Sequence, residues 1–300
     1  MRPHVAAILA QISLSGLVAC ASAGRTAAWE RADSAVASAA SDVDTAALAA
    51  EAEALWAQRD DRAKLEQAIA KWEEVVEADP NDARALTRLA RANYFLADGF
   101  IALEEGQQKL EFEVYNKGVD YGERALLVLE PGFETDMKAG KSFEEAISKI
   151  SDQGIEAAYW YCVNLGRFAS KQGLSERLYY KDKLKTAMER IMALEPKFFY
   201  GAPDRYFGGY YSILPGIAGR DTDRSARHFE ASLEYAPEYL GTRVVKAQFL
   251  ATALDDEDMY REELETVLAS DDTENPDIAP ENRAAKRTAE KMLAEIEEIF

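Results

Sequence analysis

The 300-residue chain carries 54 acidic against 35 basic residues, a formal net charge of −19 at neutral pH. That balance argues against a nucleic-acid binder, whose phosphates demand a basic footprint, and against polybasic membrane docking. Two histidines and two cysteines are too few for a multi-histidine zinc site, so no metal and no cofactor is expected. A well-solvated helical surface accounts for the acidity.

At the N-terminus, Arg2 and His4 precede a mostly apolar run, Val5 to Val18. The run is too short for a bilayer core of about 30 Å, which needs roughly 20 apolar residues, but it suits the apolar region of a signal peptide. It closes on Leu17-Val18-Ala19-Cys20. A large residue at position 17 fits poorly with ordinary signal cleavage and well with a bacterial lipobox. The reading is therefore a lipoprotein signal peptide over 1–19, with Cys20 lipidated and the rest of the chain outside the cytoplasm. Two or more acyl chains give stable anchoring where one does not. Residues 20–47, rich in Ala and Ser, read as a lipid-attached tether, and 48–300 as one helical domain. With Cys20 acylated, Cys162 is the single remaining thiol, expected to be buried and inert.

From residue 48 onward the periodicity is helical and strand signals are lacking. An internal repeat shows through. Ala68, Trp72 and Val75 precede Pro80, while Leu184, Met188 and Ile191 precede Pro196 at the same spacing. Ser225, Phe229 and Ser232 precede Pro237 likewise, and Gly118, Gly122 and Ala125 precede Pro131 one residue out of step. Small residues let helices approach, a bulky one fills the groove, and proline ends the unit. This resembles the second half of a tetratricopeptide repeat. The expected fold class is all-α, a diverged tetratricopeptide-like array (an α-solenoid). Insertions are expected near 105–117, 132–153 and 171–180, and the helix over 281–300 would serve as a C-terminal cap, as open-ended stacks require.

Two segments dense in aromatics and glycine stand apart: 159–169, with Tyr159, Trp160, Asn164 and Arg167, and 201–216, with Arg205, Tyr206, Gly208, Gly209, Tyr210 and Tyr211. Each glycine inside a helix costs roughly 1 kcal/mol against alanine, so something there requires close approach. Tight helix packing is one explanation. The other is a binding concavity that gathers Tyr159, Trp160, Asn164, Arg205, Tyr206, Tyr210 and Tyr211 around a ligand or partner. His228, in Arg227-His228-Phe229-Glu230, reads as a surface position. No nucleophile–base pair or framed carboxylate pair is recognisable, so an enzyme is not expected.

These segments, in this order, resemble the TatT lipoproteins associated with tripartite ATP-independent periplasmic (TRAP) transporters. The resemblance rests on Tyr159-Trp160 with Asn164, Gly166 and Arg167, and on Gly201, Pro203, Tyr210-Tyr211 and Leu214-Pro215-Gly216. It continues through 225–230, Pro237 and Tyr239-Leu240. Ala202 and Leu165 depart from the pattern. The resemblance implies a non-catalytic, lipid-anchored accessory that binds the periplasmic solute-binding protein, helps pass on its ligand (organic-acid-like or hydrophobic), and assembles as a homotrimer. Ala21 after Cys20 resembles the outer-membrane sorting of Gram-negative lipoproteins and implies the periplasmic face of that membrane. The repeat pattern by itself supports only a protein-binding scaffold, so the alternative is a general envelope lipoprotein that helps outer-membrane or complex assembly.

Overall fold

The structure, a computed structural model, describes residues 25–31, 43–216 and 219–300, and Cys20 and the signal segment lie outside them. Helices α1 (Thr45–Trp56), α2 (Arg62–Ala78), α3 (Ala83–Gly99) and α4 (Gln108–Leu129) come first. Short α5 (Pro131–Lys138) and α6 (Phe143–Ile147) lead to α7 (Ile155–Gln172), α8 (Leu174–Leu194), α9 (Phe198–Ile213) and α10 (Thr222–Tyr235). Next, α11 (Gly241–Lys246) runs through a π-helical turn (Ala247–Ala251) into α12 (Thr252–Leu254), before α13 (Glu257–Ala269) and α14 (Ala279–Ala294). The fold is all-α: among the described residues there is no strand, and no helix is long and apolar enough to cross a membrane.

Acidic residues start many of these helices. The carboxylates of Asp44, Asp61, Asp82, Asp221 and Asp256 accept from free backbone N–H groups of the first turn. Each such cap contributes about 1 kcal/mol, which gives part of the negative charge a structural use. The repeat triads are buried as their spacing predicts. Ala68, Trp72 and Val75 are buried on α2, Leu184, Met188 and Ile191 on α8, and Ser225, Phe229 and Ser232 on α10.

Packing runs from one helix to a later neighbour: α1 on α2, α3 on α4, α4 on α7, α7 on α8, and α9 on α10. The last helix does more than cap an end. Besides α13 and α11 it packs against α3, and the Arg59 guanidinium donates to Glu281 at 2.6 Å, both side chains buried. Arg91 holds the other oxygen of that carboxylate at 2.9 Å. Arg287 and Lys291 donate to carbonyls at 99, 102 and 103. The first and last thirds of the chain are thereby joined.

The stretches read as insertions are largely helical. Residues 108–117 are the start of α4, 131–147 contain α5 and α6, and α8 follows α7 after a single break at Gly173, whose φ is +102°. The expected tether also departs from plan where it is described. Arg25–Arg31 is docked: Ala27, Ala28 and Trp29 belong to the core, and Trp29 packs against Phe133, Phe143 and Tyr161 with ring centroids 5.5, 5.8 and 6.1 Å away. Arg25 pairs with buried Glu123, which also accepts from the Ala28 N–H at 2.9 Å. An indole that finds three aromatic neighbours cannot stay in a solvated linker.

Candidate aromatic chamber

The backbone that presents the second aromatic segment is strained. Phe199, Tyr200 and Gly201 take φ values of 41°, 59° and 69° at the start of α9, in the left-handed region that non-glycine residues avoid. Such a turn persists only when its surroundings over-determine it. Here Arg205, one turn further on, donates to the carbonyls of Phe199 and Tyr200 at 3.3 and 3.0 Å. Pro203 then sits where the regular helix begins, a position that requires no N–H partner. The turn drives the Phe199 ring inward, 5.0 Å from Trp160 and 5.6 Å from Tyr239.

Two compartments lie around this turn. The first encloses about 190 Å³ between α7, α8 and α9, with Val245 and Phe249 from the α11 region closing it. Tyr159, Tyr206, Tyr210, Leu178, Leu184 and Ile213 give it an apolar lining. Its charged lining residues are Arg167, Arg177, Lys181 and Arg205, without a single carboxylate. The second compartment encloses about 370 Å³ between α3, α7, the α11 region and α14. It is polar and of mixed sign, with Arg91, Lys171, Lys291, Asp98, Glu111 and Glu281 beside Trp160, Phe199 and Tyr239. Tyr94, Tyr159, Arg167, Arg205 and Val245 line both and form the wall between them.

The charges in this wall are held in different ways. Arg167 pairs with Asp98 at 2.7 Å. Arg205 has no carboxylate: besides the two carbonyls it reaches the Thr242 hydroxyl at 3.3 Å and the Tyr159 hydroxyl at 3.5 Å, and its guanidinium carbon lies 4.3 Å from the Tyr239 ring centroid. It is only 7% exposed, and a guanidinium stays charged at any neutral pH. Arg91 is boxed by Trp56, Trp160 and Phe199 at 5.1, 5.3 and 4.9 Å. Burial pushes the hydroxyls of Tyr94 and Tyr206 well above the usual phenol range, so both stay neutral.

Of the seven residues singled out from the sequence, five meet at the chamber. Tyr159 and Arg205 face both compartments, Tyr206 and Tyr210 the apolar one, and Trp160 the polar one. Asn164 and Tyr211 line neither. Asn164 is fully buried and donates to the carbonyls of Ala90 and Trp160 at 2.9 and 2.7 Å, which ties α7 to α3. Gly118 of α4 lies directly against its amide. Tyr211 turns toward α10, stacked on His228 with centroids 5.7 Å apart and covered by Arg224. His228 is not the surface residue expected: it is half-buried, with Nδ1 2.7 Å from Asp204 Oδ1. Arg91, Tyr94, Phe199 and Tyr239 were missed. A signal existed in Phe198-Phe199-Tyr200-Gly201, an aromatic run that ends in glycine where a helix should start.

Cys162 lines the apolar compartment but is buried, and burial drives its thiol far above the usual range, which makes it a packing residue. Among the described residues no cluster of His, Cys, Asp and Glu could hold a metal. What the geometry offers is a small, largely apolar space with aromatic walls and fixed positive charges in its lining.

No curated protein matches the chain. The family model described as TAtT, TRAP transporter T-component, matches residues 103–300, which takes in the chamber's α7, α8, α9 and α14. The chain belongs to the TRAP transporter T-component family.

Proposed function

We propose that the chain is the non-catalytic, lipid-anchored accessory of a TRAP system, which docks the periplasmic solute-binding protein and takes up its ligand in the chamber. One observation carries the reading: an aromatic compartment whose charged lining is wholly basic, in a chain of net charge −19. A general assembly scaffold has no use for such a site, whereas an apolar molecule with an anionic end fits it. Arg205, buried without a carboxylate partner, is the residue to meet the anion, because an ion pair excluded from water is far stronger than one at the surface. The polar compartment, with charges of both signs, suits the entrance that faces the solute-binding protein.

In this reading Cys20 carries the lipid, the protein sits at the periplasmic face of the outer membrane, and three copies assemble as a homotrimer. The test is binding of the purified chain to the solute-binding protein of the same TRAP system, with and without that protein's ligand. Thr288→Trp, which fills the polar compartment, is expected to weaken binding about tenfold, roughly 1.4 kcal/mol. Equal affinity for wild type and variant removes the polar entrance. A wild-type chain that shows no binding removes the transport reading.

A further inference from the structure

The docked segment and the surface of α8 together fix how the molecule sits. Arg25 is held by Glu123, and Trp29 by Phe133, Phe143 and Tyr161. Five residue steps separate Arg25 from Cys20, which at full extension span at most about 18 Å. Whatever anchors Cys20 therefore lies within that distance of the docked segment, not at the end of a long tether.

Helix α8 borders the same region. Lys183 sits over the Phe143 ring, at 6.0 Å, on which Trp29 packs, and the Arg25 charge is felt at the Tyr180 hydroxyl. The first turns of α8 are apolar where they should be polar: Leu174, Leu178 and Tyr179 are 49%, 40% and 58% exposed. Around them the charge inverts relative to the rest of the chain. Residues 174–185 hold Arg177, Lys181, Lys183 and Lys185 against two acids, buried Glu176 and Asp182, the latter paired with Lys181 at 2.9 Å, while Lys185 pairs with Glu189 one turn on. Exposed leucine and tyrosine flanked by lysine and arginine form the pattern of a helix that lies in a membrane interface, with its apolar side chains among the acyl boundary and its cations at the phosphates.

We propose that the first turns of α8 rest on the phospholipid surface in which Cys20 is anchored, held there by the docked Arg25–Arg31 segment. The inference rests on the reading of Cys20 as the lipid-bearing residue. Leu174, Arg177, Leu178 and Lys181 also line the apolar compartment, so that compartment opens at the bilayer.

The test uses the full, acylated chain in vesicles of phosphatidylethanolamine and phosphatidylglycerol. With Cys20 acylated and Cys162 buried, single nitroxide labels go cleanly onto Leu178→Cys, Tyr179→Cys and, as a distant control, Asp258→Cys on α13. The expected result is that accessibility to a water-soluble nickel complex falls several-fold at 178 and 179 and not at 258. A long Gly-Ser insertion between Gly24 and Arg25 leaves the docked segment intact and is expected to abolish that protection without releasing the protein from vesicles. Vesicle-bound protein with labels at 178 and 179 as accessible as at 258 overturns the membrane face while leaving the anchor in place. Protection that appears only when the solute-binding protein is added overturns it too, and makes α8 a protein-docking face. A chain that never binds vesicles overturns the anchor and the inference together.

Discussion

The guanidinium of Arg205 lies 4.3 Å from the ring centroid of Tyr239, and this pair ties α9 to the start of α11 while the same side chain holds the left-handed turn at 199–201. Removing it therefore does two separable things. Arg205→Met is expected to lower stability by about 2 kcal/mol, since two partly buried carbonyls lose their donor, read as a shift in the urea midpoint. Arg205→Lys restores the charge without the planar fork. If the anion reading holds, the lysine variant keeps more of the affinity for an anionic, apolar ligand than of the stability.

Gly208 permits the α9–α10 contact. A Cβ there would stand 2.8 Å from three atoms of the Phe229 ring, a fully buried residue with little room to move. Gly208→Ala is expected to cost about 2 kcal/mol or more through overpacking, despite the better helix propensity of alanine. Gly132→Ala, where nothing lies within 4 Å of the added atom, is expected to be neutral or slightly stabilising. Thermal denaturation of the two variants checks the contrast.

Gly208 could be anticipated as a packing glycine because glycine inside a helix is costly unless something needs close approach there. Local periodicity sets which face of a helix is buried, and it was legible for α2, α8 and α10. The aromatic segments likewise pointed to Tyr159, Trp160, Tyr206 and Tyr210. Arg91 and Tyr94 on α3 and Tyr239 just before α11 were not legible, because each reaches the chamber only through contacts with segments far away in sequence: Arg91 and Tyr94 on Trp160, and Arg91 and Tyr239 on Phe199. Asn164 and Tyr211 were misjudged for a related reason: one helix presents residues to several neighbours, and position in a motif does not say which neighbour a side chain meets. Trp29 was missed because an alanine-rich stretch conceals a single anchoring indole.

Glu281 is shared by Arg59 and Arg91, with its side chain and that of Arg59 buried. Glu281→Ala leaves two cations unpaired and is expected to cost about 3–5 kcal/mol. Because the pair joins α14 to the N-terminal third, amide exchange is expected to quicken first in α14 and α3. Uniform loss of protection across all helices would mean that the closure is not a separate unit.

Burial raises the Glu123 carboxyl from its ordinary value of 4.5 to about 6, against the lowering effect of Arg25. The folded state thus binds this proton more tightly than the unfolded chain. Its contribution to stability is complete below about pH 4.5 and is lost as the pH rises through about 6, a decline of about 2 kcal/mol. Glu123→Gln is expected to remove that part of the slope, as read from urea midpoints between acid and neutral pH. An unchanged slope would place the titration elsewhere.

Photocrosslinking in the native envelope tests the transport reading most directly. A photoreactive side chain at Gln248, an exposed residue on the rim of the polar compartment, should capture the TRAP solute-binding protein, and the yield should change when that protein's ligand is supplied. The same group at Asp258 on α13 should not. Absence of the solute-binding protein at Gln248, or equal capture at both positions, would contradict a role in receiving its ligand.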